Sequence, residues 1–150
     1  MATTGTAVRQ EEQTLKIINW RDALNDAVLD PAVNIKIAVL GGDSTMMMGV
    51  TELQPGAKIN AHVHAHDAEV YFILNGNGEM YIGYQEGIKV RWNTPVMVKE
   101  GDVFTVEPGM VHQLKNISDS DPLTLMFSSP WSHLKGDRVV AQDYDSSNQS

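Results

Sequence analysis

From Asn34 to Ser129 the sequence is cut into short apolar runs by turn residues, and that rhythm restricts the fold more than any other feature of the chain. The runs read NIKIAVL (34–40), TMMMGVTEL (45–53), KINAHVH, EVYFIL, EMYIGY, IKVRWN, PVMVK, VFTV, MVHQLKN and PLTLMFS. Between them stand Gly41-Gly42-Asp43, Gln54-Pro55-Gly56, Asn75-Gly76-Asn77-Gly78, Gln85-Glu86-Gly87, Glu100-Gly101-Asp102 and Glu107-Pro108-Gly109. These residues reverse a chain because Gly tolerates positive φ, Pro presets φ, and Asn and Asp bond their own backbone. Roughly ten short strands with so little helical periodicity predict an all-β antiparallel sandwich or barrel.

The flanks carry less pattern. Residues 1–13 are small and polar and read as a loose arm. TLKIIN (14–19) reads as a short strand. Trp20 to Leu29 places Trp20, Ala23, Leu24, Ala27 and Val28 at helical spacing, with Asn19 as N-cap and Pro31 as the stop. The closing PWSHLKGDRVVAQDYDSSNQS (130–150) has little periodicity; its first half is expected to pack as an irregular strap, and the domain is expected to run over 14–135. A tail of 136–150 follows, and its last residues read as disordered.

Composition excludes several chemistries. The 150 residues contain no cysteine, so disulfides, thiolate metal sites and cysteine nucleophiles are ruled out. A net charge of -8 and a pI near 4.9 argue against nucleic acid or an anionic membrane as partner. No apolar run approaches the roughly 20 residues of a membrane span. The N-terminus lacks the apolar centre of a signal peptide, so a cytoplasmic location is the expectation.

The chemistry gathers in GAKINAHVHAHDAEVYFILNG (56–76). His62 and His64 share one face of an extended segment. The loop from Ala65 to Ala68 can return the chain so that Glu69 sits beside them on an adjoining strand. Two neutral nitrogens and a carboxylate suit a divalent Fe, Mn, Ni, Co or Zn. A second stretch, GDVFTVEPGMVHQLKN (101–116), offers His112 as a fourth ligand.

Both stretches resemble the signature motifs of the cupin superfamily. Gly56, five residues, His62-x-His64, four residues, Glu69, six residues and Gly76 match the first motif at every defined position. Gly101, Gly109, His112 and Asn116 follow the second, which usually has proline where this chain has Glu107, with Pro108 one place later. The resemblance covers roughly residues 34–129. It implies a small double-stranded β-helix of jelly-roll type, with His62, His64, Glu69 and His112 as ligands of an internal metal. It also implies a homodimer.

Other residues take roles by position. His66 extends the H-x-H series and is expected at the rim of the site, as an acid–base group near working pH. His64-x-His66 is the competing ligand pair. Asn60 and Lys58 share the parity of His62, and Asn60 can position a substrate oxygen. Tyr71 shares Glu69's face and can donate a hydrogen bond or proton, and Met110 shares His112's face and belongs to the substrate pocket. Met46-Met47-Met48 reads as flexible core filler. No cluster of Arg and Lys adjoins the site in sequence, since Lys89, Arg91 and Lys99 lie on other strands.

Four protein ligands leave open positions on an octahedral ion, and three functions follow. The first is an O2-using oxygenase or dioxygenase with Fe(II) or Mn(II) acting on a small molecule with some hydrophobic body. The second is redox-neutral isomerase, cyclase or lyase chemistry, for which Ni, Co or Zn would also serve. The third is binding of a small metabolite without catalysis.

Overall fold

The computed structural model describes residues 14–147, so the arm expected over 1–13 and the last three residues lie outside the described residues. After α1 (Trp20–Asp26) the described chain is almost entirely strand: β1 (Leu29–Asp30), β2 (Ile35–Gly42), β3 (Met47–Leu53), β4 (His62–Val63), β5 (Glu69–Asn75) and β6 (Asn77–Glu86). Then come β7 (Lys89–Trp92), β8 (Val96–Lys99), β9 (Val103–Val106), β10 (Val111–Asn116) and β11 (Leu123–Ser129). A 3-10 turn (Trp131–His133), β12 (Val139–Val140) and α2 (Tyr144–Ser147) complete it.

All strand pairs are antiparallel and form two sheets. One runs β1-β2-β3-β11-β5-β9, and the other runs β12-β4-β10-β6-β7 with β8 also on β6. This is the antiparallel all-β architecture expected from the turn rhythm, in the double-stranded β-helix form that the cupin resemblance implies. The core lies between the sheets, where Met47, Leu53, Ile73, Leu123 and Leu125 of the first meet Met80, Val98 and Leu114 of the second. Alternation sets which side chains enter it: in β5, Glu69, Tyr71 and Ile73 are buried while Val70 and Phe72 face out. Each large aliphatic side chain so buried contributes about 1.5–3 kcal/mol.

Turn chemistry holds the strand ends in place. Gly76 has φ 91°, and a Cβ there would stand 2.6 Å from the Pro122 carbonyl oxygen, so only glycine joins β5 to β6 at this distance. The displaced proline of the second motif leaves its turn intact. Pro108 and Gly109, the latter at φ 79°, occupy the two central positions of a turn closed by the Met110 N–H on the Glu107 carbonyl at 3.2 Å.

Several local expectations are corrected. Residues 14–19 form no strand, because no neighbouring strand pairs with them and Leu15 and Ile17 stay exposed. Asn19 caps α1 as expected, its side chain accepting the Arg21 N–H at 2.9 Å. The helix ends at Asp26 instead of Leu29, because Leu29 and Asp30 pair with Lys36 and Ile35 of β2. Of the methionine run only Met47 fills the core, while Met46 and Met48 are exposed. KINAHVH is regular only at His62–Val63. Lys58 consequently turns away from the cavity and pairs with Asp143 at 3.0 Å.

The segment after residue 135 has no periodicity yet packs closely. β12 pairs with β4, Asp143 accepts the Ala61 N–H at 2.9 Å, and the Tyr144 N–H reaches Gln113 at 3.0 Å. The boundary expected at 135 marks no break in the packing.

Asn116, fully buried, donates its amide to the carbonyls of Leu53, Gln54 and Asp121 and accepts the Ser118 N–H. Asn116→Ala strands these groups and is expected to lower stability by about 2–3 kcal/mol. Urea and thermal melts will read this as a drop in Tm of roughly 5–10 °C.

Candidate metal centre

His62 lies on β4, and directly across the ladder from it is His112 on β10. His64 follows β4 by one residue, and Glu69 opens β5. The expectation that Glu69 returns on a strand adjoining His62 is corrected, because β4 and β5 belong to different sheets. The loop 65–68 crosses from one sheet to the other, and Glu69 meets the imidazoles across the interior.

All four side chains are buried, and one ligand atom from each lies within 4.8 Å of the others. Glu69 Oε2 stands 3.5 Å from His64 Nε2 and 3.4 Å from His112 Nε2. The Tyr71 hydroxyl donates to the same oxygen at 3.1 Å.

The opposite edge of each imidazole faces a backbone carbonyl. Nδ1 of His62 meets Asn60 O at 2.8 Å, Nδ1 of His112 meets Met110 O at 3.1 Å, and Nδ1 of His64 meets Asp137 O. A carbonyl only accepts, so each Nδ1 carries the proton and each Nε2 turns its lone pair inward. His112 Nε2 is buried with no hydrogen-bond partner. Such an atom costs roughly 1–3 kcal/mol, and a cation at this point removes the deficit. Three inward lone pairs and one carboxylate therefore fit a divalent first-row ion.

Electrostatics agree with this. Burial, with the His112 ring beside it, pulls the pKa of His62 down to about 3, so this ring is neutral at physiological pH. Burial alone would raise the pKa of Glu69, but the imidazoles of His112 and His64 outweigh it and hold the carboxyl well below its usual range. Burial likewise opposes charge on His64, yet Glu69 and the Asp137 carbonyl raise its pKa. Burial and Glu69 push the Tyr71 phenol well above its ordinary value, which keeps it a donor.

The centre opens into a cavity of about 400 Å³. His62, His64, Glu69, Tyr71 and Asn60 line it. Met110 does not line it and packs against the core instead. His66 is exposed and also absent from the lining, so it is neither ligand nor pocket residue in this arrangement. Only its backbone serves the site, donating to Asp137 Oδ2 at 2.9 Å and accepting from His133 Nε2 at 2.8 Å.

Sequence reasoning missed the contribution of residues 133–138. His133 is buried and stacks on His64 with centroids 3.8 Å apart and planes 1° from parallel. The Asp137 carbonyl takes the His64 proton, and its carboxylate accepts the N–H groups of Ala65 and His66. Arg138 lines the cavity as its single Lys or Arg among the described residues; no cluster of Arg and Lys was expected near the site, and this one cation was not singled out from the sequence. The cation in SHLKGDR was visible in the sequence, but nothing tied it to a motif some 70 residues earlier.

The chain belongs to the cupin family, whose Cupin domain model matches residues 49–129, more than half of the sequence. It is 28% identical over 102 residues to a probable germin-like protein of Arabidopsis thaliana, covering 65% of this chain and 45% of that one. It is 29% identical over 70 residues to an oxalate-binding protein of Thermotoga maritima, covering 47% of this chain and 50% of that one. The chain thus spans about half the length of the curated relatives it matches. Its fold is similar to a double-stranded β-helix protein from Klebsiella pneumoniae at TM-score 0.65 and 20% identity, covering 87% of this chain and 100% of that one.

Asp137→Ala removes the caps on Ala65 and His66 and frees the segment that holds His64 in its tautomer. Metal affinity, measured by competition with a chelating dye, is expected to fall about 10–100-fold while the circular dichroism spectrum is retained. Asp137→Asn, which keeps one acceptor, will fall less.

Proposed function

We propose that this chain is a metal-dependent cupin oxygenase that uses O2 on a small organic metabolite, with Fe(II) or Mn(II) held by His62, His64, Glu69 and His112. The observation that supports this is the opening of a buried N3O donor set into a cavity walled by Ile35, Ile37, Leu125 and Phe127. When bound, such an ion supplies Lewis acidity and one-electron chemistry toward O2. The protein supplies the rest. Backbone carbonyls fix the imidazole tautomers, and the Tyr71 hydroxyl orients Glu69. The apolar wall gives a hydrocarbon part of the substrate a surface beside the centre, and Asn60, on the cavity lining, positions a substrate oxygen.

Redox-neutral isomerase, cyclase or lyase chemistry uses the same donor set and differs in needing no O2. The oxalate-binding relative favours a further reading, capture of a small acid without turnover.

Elemental analysis of tag-free protein is expected to find about one Fe or Mn per chain, lost in Glu69→Ala and His112→Ala. An oxygen electrode should then record substrate-dependent O2 uptake across a panel of small keto, hydroxy and carboxylic acids. Ni, Co or Zn, or turnover unchanged under argon, would move the assignment to redox-neutral chemistry. Absence of metal after anaerobic reconstitution would leave the binding reading.

A further inference from the structure

The cavity is asymmetric in its charge and polarity. Arg138 is the one Lys or Arg side chain among the described residues that line it. The residue before it, Asp137, is bound to His64, Ala65 and His66, so the backbone carrying Arg138 is anchored at the metal centre. Lys58, Arg91, Lys99 and Lys115 each pair with a carboxylate, whereas no carboxylate among the described residues pairs with Arg138.

The two acidic groups on the lining are otherwise engaged. Asp30 Oδ1 accepts the Ala32 N–H at 2.9 Å, and Glu69 belongs to the centre. A divalent ion with one carboxylate and neutral imidazoles keeps a net positive charge, which adds to that of Arg138. The same lining carries hydrocarbon: Val33, Ile35, Ile37, Ile59, Leu125 and Phe127.

We propose that the ligand of this cavity is a small organic acid with a single carboxylate and an apolar body. The carboxylate pairs with the Arg138 guanidinium, whose planar fork matches it. The hydrocarbon part lies on the wall of Ile35, Ile37, Leu125 and Phe127. A cavity of about 400 Å³ stands near the lower end of the usual range for ligand pockets, so the acid is small. Oxalate, which has no hydrocarbon, would leave that wall wet. The inference rests on the proposed function only for the location of the site, since it concerns recognition and not reaction.

Calorimetric titration of the protein, as purified and after stripping with a chelator, tests this with acetate, butanoate, hexanoate, hexanamide and oxalate. Affinity is expected to rise about fourfold per buried CH2 along the acid series, which is about 0.8 kcal/mol. Hexanoate should bind at least about tenfold more tightly than hexanamide or oxalate, a difference of some 1.4 kcal/mol. Arg138→Gln should bring hexanoate down to hexanamide and leave hexanamide unchanged, with Arg138→Lys intermediate. Ile37→Asn, in the half-open wall, should flatten the chain-length series.

Equal binding of hexanamide, oxalate as tight as hexanoate, indifference to Arg138→Gln, or no binding of any probe would each overturn the proposal. Selective, Arg138-dependent binding without O2 uptake would uphold it while sinking the oxygenase reading.

Discussion

Each imidazole at the centre of this protein gives its Nδ1 proton to a backbone carbonyl, and the rest of the site follows from that commitment. The carbonyls belong to Asn60, Met110 and Asp137, three segments far apart in the chain. Once the outer nitrogen is occupied, the inner one has no proton to give, and at His112 it is buried with no hydrogen-bond partner. Such a ring is a ligand awaiting a cation. The fold therefore has two tasks: to bury the rings, and to bring three carbonyls up behind them.

A sandwich of two sheets meets both. His62 and His112 face one another on neighbouring strands of one sheet, and Glu69 comes from the other. The site thus spans the core and depends on the packing of Leu53, Ile73, Leu114 and Leu125 between the sheets. The carboxylate cannot join the rings unless that core forms. The chain beyond β11 then closes the arrangement, with His133 stacked on His64 and Asp137 bonded to it. Because the same segment carries Arg138, one stretch holds the candidate ligand His64 in place and charges the cavity beside it.

Much of this was legible in the residues. Turn chemistry at Gly41-Gly42-Asp43, Asn75-Gly76 and Glu107-Pro108-Gly109 marked the strand ends because positive φ and fixed φ are local properties. The candidate set was legible because His62 and His64, two apart, share a face in an extended segment, while Glu69 and His112 stand in stretches that resemble the cupin motifs. His66 was misplaced by the same reasoning: extended periodicity ends at β4, and beyond it alternation no longer says where a side chain points. Met110 failed for a related reason. It precedes β10, in the turn, so it does not share His112's inward direction.

The sequence by itself determined the all-β class, the turns that separate most strands, the four candidate ligands and the absence of thiolate ligands. Each depends on a residue's type and its near neighbours. Only the tertiary structure decided that Glu69 crosses between sheets, that Asp137 and His133 secure His64, and that Arg138 lines the same cavity as Ile35, Leu125 and Phe127. The contacts of Asp137 and His133 join them to a segment some 70 positions earlier. No local preference encodes them; they arise when the burial of a shared core brings distant segments to the same place.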